Sequence, residues 1–283
     1  MPAAGLMKID GTTTVVGVLG APISHTASPA MHNAAFAALK MNWTYLAFHV
    51  EPGALPGALN GIRALNFAGV NLTVPHKVAA LDLLDEVDPD AKKLGAVNTV
   101  AVEDGKLRGY NTDGYGFSKA ILEEFNFSLK GKRVLVLGAG GAGRAIAVQC
   151  ILDGAAKVRV ANRTPGKASG FEELPLTSSA VAKVIGDVDL LVNATSVGLR
   201  DGDSLGLNAS LFSPQLYVYD TIYRPAETAL LQQAREGGAR VANGLSMLLH
   251  QGARSFEIWT KDKMAPIAKM RQALKAAVYG KTK

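Results

Sequence analysis

The chain has one cysteine, Cys150, in 283 residues, so it can form no intrachain disulfide and no cysteine-built metal site. That cysteine lies in an apolar helical run, AIAVQCIL, and reads as an inert core residue. Long apolar runs are also missing. The most apolar stretch, Val134 to Leu152, is broken by four glycines and by Arg144, so no membrane span is readable. The N-terminus lacks a charged segment followed by an apolar one, so no signal peptide is read and the expected location is cytoplasmic. No dense run of Lys or Arg interleaves with aromatics, which argues against nucleic acid as a partner. His25, His32 and His76 match no ligand spacing; they read as structural, and no metal is expected.

What remains is a globular composition, 48% hydrophobic and 19% charged, long enough for two domains. The net charge of +6 suits anionic small molecules, such as a phosphorylated cofactor or a carboxylate substrate. Short apolar runs alternate with helical patterns. Strands are expected at Val15–Leu19, Tyr45–Val50 and Gly69–Thr73, with helices at Pro29–Met41, capped by Ser28, and Pro52–Leu65. A hairpin is expected around Asp104-Gly105, between Asn98–Glu103 and Lys106–Gly109. Helices between strands argue for parallel α/β organisation.

A second α/β unit begins after GYNTDGYG (109–116). It reads as helix Phe117–Phe125, strand Val134–Leu137, helix Arg144–Asp153, and strands Val158–Ala161, Asp189–Asn193 and Leu216–Asp220. The C-terminus reads as helices Glu227–Glu236, Ser246–Thr260 and Pro266–Tyr279. No repeat or low-complexity linker separates the two halves. The boundary is expected near residue 113, with the last helices returning to the first domain.

VLVLGAGGAGRA (134–145) puts G-x-G-x-x-G, at Gly138, Gly140 and Gly143, directly between a strand and a helix. Glycines there allow a tight turn and let backbone amides approach a pyrophosphate at the helix N-terminus. An NAD site usually carries a carboxylate about 20 residues on, to hold the ribose 2′-hydroxyl. Here the strand ends in Asn162-Arg163-Thr164, with Lys167 one turn later. That basic segment favours a 2′-phosphate, hence NADP over NAD.

Lys77 ends NLTVPHK (71–77), after a strand whose C-terminal end should open onto a crevice. Asp113 can cap the following helix, which does not exclude a role in the site. A lysine beside a carboxylate, partly shielded from water, can act as general acid–base toward a hydroxyl or ketone. Thr26 and Ser28 offer uncharged hydroxyls; a helix cap explains Ser28 but not Thr26. Asn193, Thr195 and Ser196 follow a strand of the nucleotide unit and are expected to face the cofactor. Gln251 is an amide donor on the first C-terminal helix, within reach of a polyol hydroxyl.

Together the motifs resemble the shikimate dehydrogenase family, including its quinate-using branch. PISHTASPAMHN, NLTVPHK, GAVNT, GYNTDGYG, GAGGAGRA, NRT, NATSVGL, YDTIYRP and NGLSMLLHQGA occur in the family's order and approximate spacing. The resemblance implies NADPH-dependent reduction of 3-dehydroshikimate to shikimate, in aromatic amino-acid biosynthesis. It implies a catalytic Lys77 and Asp113, with Thr26 and Ser28 on the substrate carboxylate. Thr73, Asn98, Tyr223 and Gln251 match other substrate contacts. Gly138, Ala139, Gly140, Gly141, Ala142, Asn162, Arg163, Thr164, Lys167, Thr195, Ser196, Thr221, Gly244 and Met247 match cofactor contacts. Thr26 replaces the usual serine, and Thr221 stands where a bulkier apolar residue is common.

The implied fold is an N-terminal α/β substrate domain plus a Rossmann-type doubly wound NADP-binding domain, with a cleft between them. Residues 1–112, completed by helices in 244–283, form the first domain, and 113–243 the second. Alternatives are a quinate/shikimate dehydrogenase with relaxed substrate or NAD use and, from another class, a non-catalytic NADP-binding sensor. The expected partner is a small-molecule substrate, and the chain is expected to be a monomer or homodimer.

Overall fold

The structure is a computed structural model that describes residues 9–200, 202–261 and 263–280. The first eight residues, on which the signal-peptide reading rests, lie outside the described residues. Two units are resolved by their internal contacts. One runs to Thr112 and resumes at Gly252; the other is Asp113–Gln251.

The first unit holds a six-stranded sheet in the order β2-β1-β3-β5-β6-β4. Its strands are β1 (Thr14–Gly20), β2 (Trp43–His49), β3 (Gly69–Leu72), β4 (Glu86–Val87), β5 (Thr99–Glu103) and β6 (Lys106–Tyr110), with the short helix α4 (Pro89–Leu94) between β4 and β5. β1 pairs in parallel with β2 and β3, as helices α1 (Ser28–Ala38) and α2 (Leu55–Ala64) between them require. The sheet is not parallel throughout: the tight hairpin makes β5 antiparallel to β6, and β5 is also antiparallel to β3. Asp104 and Gly105 at its tip both have positive φ, 50° and 76°, as a two-residue hairpin turn demands.

Val70 and Leu72 share a face of β3 and pack with Leu19, Leu55, Leu59 and Ile62. Asn71, between them, points to the other face. That opposite face carries α1 and the C-terminal α10 (Ile267–Tyr279). There Trp259 donates its Nε1–H to the Val100 carbonyl at 2.9 Å.

The second unit holds β7 (Arg133–Leu137), β8 (Lys157–Asn162), β9 (Glu172–Pro175), β10 (Leu190–Asn193), β11 (Tyr217–Asp220) and β12 (Arg240–Asn243). The order is β12-β11-β10-β7-β8-β9, and every pairing is parallel. Chain order reverses between β7 and β10, so this is the doubly wound nucleotide-binding topology, with its switch point beside the glycine loop. Val134 and Val136 pack on one face with Phe117, Ile121, Ile146 and Cys150. Leu135 and Leu137 pack on the other with Val181, Leu230 and Leu231. The two-residue side-chain period thus buries both faces under helices, α5 (Asp113–Phe125) and α6 (Gly141–Leu152) on one side, α7 (Ser178–Val184) and α8 (Ala229–Glu236) on the other. Cys150 is fully buried, and burial pushes its thiol pKa up, so it stays protonated.

Two strands and one helix of this unit were not expected. β9 and β12 are the sheet's edges, four residues each. EELP carries two glutamates and a proline, a composition tolerated only where one side of the ladder is unpaired. α7 is seven residues, capped by the Thr177 hydroxyl accepting from Ala180 N at 3.2 Å. Among the described residues no helix is long and apolar enough to cross a membrane.

Candidate functional site

In the first unit Thr73, Lys77 and Asn98 gather at one end of the central strands, because β5 runs antiparallel. Its first residues therefore lie beside the C-terminal ends of β3 and β6. The Leu72 N–H donates to the Asn98 carbonyl at 2.9 Å, and the Val97 N–H to the Lys77 carbonyl at 2.8 Å. GAVNT is thereby bound to the NLTVPHK turn. Thr73 N donates to Leu19 O and Ala21 N to Val74 O, both at 3.0 Å, joining the loops after β1 and β3. Lys77 opens into solvent only in part; it stands in the short helix α3 (His76–Ala79). The Thr73 methyl occupies the space a side chain at position 20 would need, which leaves glycine there.

The HTASP loop reverses one expectation. Ala27, not Ser28, is the N-cap of α1, and no side chain caps it. It is Thr26 whose Oγ1 accepts a bond, from Ser28 N at 3.3 Å. Ser28 is the buried hydroxyl. The histidines are structural where their contacts are visible. His76 is buried with Nε2 2.8 Å from the Val50 carbonyl. His32 is buried and stacked on Tyr45, with centroids 4.3 Å apart, and desolvation lowers its pKa to about 3.

Asn98 is held closely. Thr112 N donates to its Oδ1 at 2.7 Å, and its Nδ2 donates to Thr112 Oγ1 at 2.9 Å. Thr112 immediately precedes Asp113, itself buried in the first turn of α5. The glycines that follow are packing residues. A side chain at Gly114 would meet Gln149, and one at Gly116 would meet Gln251 and the Met247 carbonyl.

In the second unit the glycine loop follows β7 at the switch point. Gly138 has φ of 98°, a conformation strained for any other residue. Gly143 lies so close to the Gly138 carbonyl that a Cβ would overlap it. Gly140 differs: it is the N-cap of α6 with φ −70°, no side chain caps the helix, and a Cβ there would meet nothing within 4 Å. Uncapped N–H groups at a twelve-residue helix, facing open space, fit a dinucleotide pyrophosphate. Gly141 and Ala142 form the first helical turn.

The basic segment after β8 is tied to this loop. Asn162 Oδ1 accepts from Ala139 N at 3.2 Å, and its Nδ2 donates to the Thr164 carbonyl at 2.7 Å. Arg163, Thr164 and Lys167 are exposed. No carboxylate was expected here, yet Glu173 Oε2 accepts from Gly166 N at 2.9 Å. It comes from the unforeseen strand β9, so nothing in the local sequence announced it.

Beyond β10 and β11 the polar residues divide. Asn193, expected to face the cofactor, is fully buried. Its Nδ2 donates to Asp220 Oδ1 at 3.0 Å and the Val197 carbonyl at 3.1 Å, and its Oδ1 accepts from Thr195 Oγ1 at 2.7 Å. Thr195 Oγ1 also accepts from Val197 N at 3.0 Å, so that hydroxyl shapes the loop, while Ser196 is exposed. Asp220, likewise fully buried, accepts from Ile222 N at 3.0 Å and Thr228 Oγ1 at 2.7 Å. Desolvation raises its pKa despite these bonds. Asp220 was not singled out from the sequence; a carboxylate ending a strand carries no mark of being buried.

Thr221 N donates to the Asn193 carbonyl at 2.9 Å, and Gly244 packs so tightly on the Thr221 backbone that a Cβ would overlap it. Thr221 and Gly244 therefore stand together, and Tyr223 is half-buried just beyond them. Met247 is buried in the core with Phe117 and Tyr219. Gln251, on α9 (Leu245–Trp259), is 9% exposed and donates to the Leu248 carbonyl at 2.9 Å.

Residues 18–100 match the family described as shikimate dehydrogenase substrate binding domain. Residues 119–198 match shikimate / quinate 5-dehydrogenase, and 244–275 the shikimate 5′-dehydrogenase C-terminal domain. A shikimate dehydrogenase (NADP(+)) from Desulforamulus reducens is 43% identical over 284 aligned residues, covering 95% of this chain and 97% of its own. One of the same description from Methanopyrus kandleri is 43% identical over 282, with coverage of 95% and 97%. Among solved structures, shikimate 5-dehydrogenase from Thermus thermophilus in complex with NADP(H) and shikimate superposes with a TM-score of 0.85. It is 42% identical, covering 94% of this chain and 100% of its own.

Proposed function

The chain belongs to the shikimate dehydrogenase family, and from that premise we propose that Lys77 and Asp113 carry proton transfer in the NADP-dependent interconversion of 3-dehydroshikimate and shikimate. The chain is an NADP-dependent oxidoreductase acting on a hydroxyl–carbonyl pair. The bound nicotinamide supplies the hydride. The Lys77 ammonium donates a proton to the ring ketone oxygen as it becomes a hydroxyl, and the amine takes it back in the reverse direction. The Asp113 carboxylate orients both the lysine and the substrate hydroxyl.

Thr26 and Ser28 hold the substrate carboxylate through their hydroxyls. Thr73, Asn98, Tyr223 and Gln251 fix the ring by hydrogen bonds, which sets the reacting carbon in one orientation. On the cofactor side, amides from Gly138 to Ala142 take the pyrophosphate and Arg163, Thr164 and Lys167 the 2′-phosphate, with Asn162 holding the two loops in register. Thr195, Ser196, Thr221, Gly244 and Met247 line the nicotinamide end. By function, residues 1–112 with helices from 244 onward serve the substrate and 113–243 the cofactor, although by contacts the first part of α9, to Gln251, belongs with the second unit. The enzyme acts in the cytoplasm.

The observation that carries this reading is the gathering of Thr73, Lys77 and Asn98 at one end of the central strands through the Leu72–Asn98 and Val97–Lys77 bonds. The test is a set of steady-state rates with shikimate and with quinate, each with NADP+ and with NAD+. Shikimate with NADP+ is expected to have the highest kcat/KM. A preference for quinate or NAD+ would overturn it.

A further inference from the structure

Behind Asn98 and Thr112 lies a polar cluster with no part in the chemistry above. The hydroxyl oxygens of Thr99, Thr112 and Ser255 form a triangle: 2.8 Å from Thr99 to Ser255, 3.2 Å from Thr99 to Thr112, and 3.2 Å from Thr112 to Ser255. None of the three residues is more than 1% exposed. Asn71 Nδ2 lies 2.9 Å from Ser255 Oγ and 3.1 Å from Thr99 Oγ1, and its Oδ1 accepts from the Tyr45 hydroxyl at 2.8 Å. A continuous buried chain of hydrogen bonds therefore runs from Tyr45 through Asn71 and Thr99 to Asn98, an expected substrate contact.

Buried hydroxyls are tolerated when each finds partners, but alanine or valine would fill the same joint at lower desolvation cost. The cluster has a definite effect on Asn98. A backbone N–H can only donate, so the atom that Thr112 N meets at 2.7 Å is the Asn98 Oδ1. The other branch of the amide must then be Nδ2, and it donates to Thr112 Oγ1. With the amide so oriented, Thr99 Oγ1 donates to the same Oδ1 at 3.2 Å. Thr112 Oγ1 accepts from Asn98 Nδ2, and Asn98 Oδ1, Thr99 Oγ1 and Ser255 Oγ each lie 3.2 Å away as acceptors for its own proton. Ser255 closes that circuit from α9, a helix far later in the chain.

We propose that Thr99 and Ser255 are positioning residues for the reaction, holding the Asn98 side-chain amide, through Thr112, with its nitrogen fixed as the donor toward a substrate ring hydroxyl. The proposal rests on the reading of Asn98 as a substrate contact. Thr99→Val keeps the shape and removes the hydroxyl; Thr99→Ser keeps the hydroxyl. KM for shikimate, KM for NADP+, kcat and Tm are measured for both, for Ser255→Ala and for Asn98→Ala. Thr99→Val is expected to raise the shikimate KM by about fivefold or more, with the NADP+ KM within about twofold, the range of one misdirected hydrogen bond. Thr99→Ser is expected to stay within about twofold of the parent, and Ser255→Ala to shift in the direction of Thr99→Val.

A lower Tm for Thr99→Val and Ser255→Ala, with the shikimate KM unmoved well below that Tm, overturns the proposal and leaves the cluster purely structural. If Thr99→Val fails to fold, Ser255→Ala decides on the same readouts. An unchanged shikimate KM in Asn98→Ala removes the assignment of Asn98, and the proposal with it. A raised KM in Asn98→Ala beside an unmoved Thr99→Val removes only the positioning role.

Discussion

Replacing Gly140 with alanine perturbs the cofactor cradle at the one glycine of the loop where the fold does not need glycine. Its φ of −70° is open to any L residue, and an added Cβ meets nothing within 4 Å. The apo protein is therefore expected to keep its stability, or to gain about 0.4–1 kcal/mol from the reduced freedom of the unfolded chain. The new methyl group projects into the space proposed for the pyrophosphate. Pushing that anion back weakens at least one charge-assisted bond from the helix N-terminus, worth about 1.5–3 kcal/mol. At about 1.4 kcal/mol per decade, the NADPH Kd should rise about 10- to 150-fold. Gly143→Ala is the contrast. Its Cβ would overlap the Gly138 carbonyl, so it should cost about 1–3 kcal/mol or more by overpacking, without any cofactor present. Fluorescence titration of NADPH and thermal unfolding of the apo protein read the two effects separately. An NADPH Kd within about twofold of the parent for Gly140→Ala would refute the placement of the pyrophosphate at this helix.

Lys77→Ala is expected to lower kcat by roughly 10²–10⁴, the usual contribution of a general acid–base, with a smaller change in the shikimate KM; near-normal turnover removes Lys77 from the mechanism. Arg163→Ala should weaken NADPH by about 1.5–3 kcal/mol and leave NADH unaffected; equal losses in a binding titration contradict the 2′-phosphate assignment. Asp220→Ala strands three donors, from Asn193, Ile222 and Thr228, and should destabilise the protein by about 2–4 kcal/mol, read as a lower Tm. Asp220→Asn keeps an acceptor for both nitrogens. Because burial raises the Asp220 pKa above 3.8, its contribution to stability is full below that value and is lost as pH rises through the folded pKa. The Tm of Asp220→Asn relative to the parent should therefore improve between acid and neutral pH, and a difference independent of pH would contradict the buried, raised carboxyl.

The resemblance was legible because the site is written as contiguous motifs whose residues need each other locally. G-x-G-x-x-G sits between a strand and a helix because the same three glycines make the turn, the open approach and the helix–strand contact. Asp104-Gly105 fixes a hairpin by backbone conformation alone. Strands with two buried faces, such as Arg133–Leu137 and Leu190–Asn193, announce themselves as apolar runs. β9 and β12 do not, since an edge strand needs no such run, and Glu173 stayed hidden with β9.

Other features lay beyond local reading because they join segments distant in the chain. Whether Thr26 or Ser28 serves the helix start depends on how the loop enters α1, and the hydroxyl expected to cap is the one that is buried. Asn193 and Asp220 look like solvent-facing residues at strand ends until β10 and β11 are paired and their ends enclosed. The sequence by itself determined the two-unit α/β organisation, the nucleotide loop and its basic neighbour, and it named the candidates for the reacting groups. Propensity, periodicity and side-chain chemistry act within a few residues, and they suffice for that much. Only the tertiary structure decided which polar groups are buried and what they hold. The Asn71–Thr99–Thr112–Ser255 cluster and the Asn193–Asp220 pair exist through hydrogen bonds across the fold, whose partners no local pattern specifies.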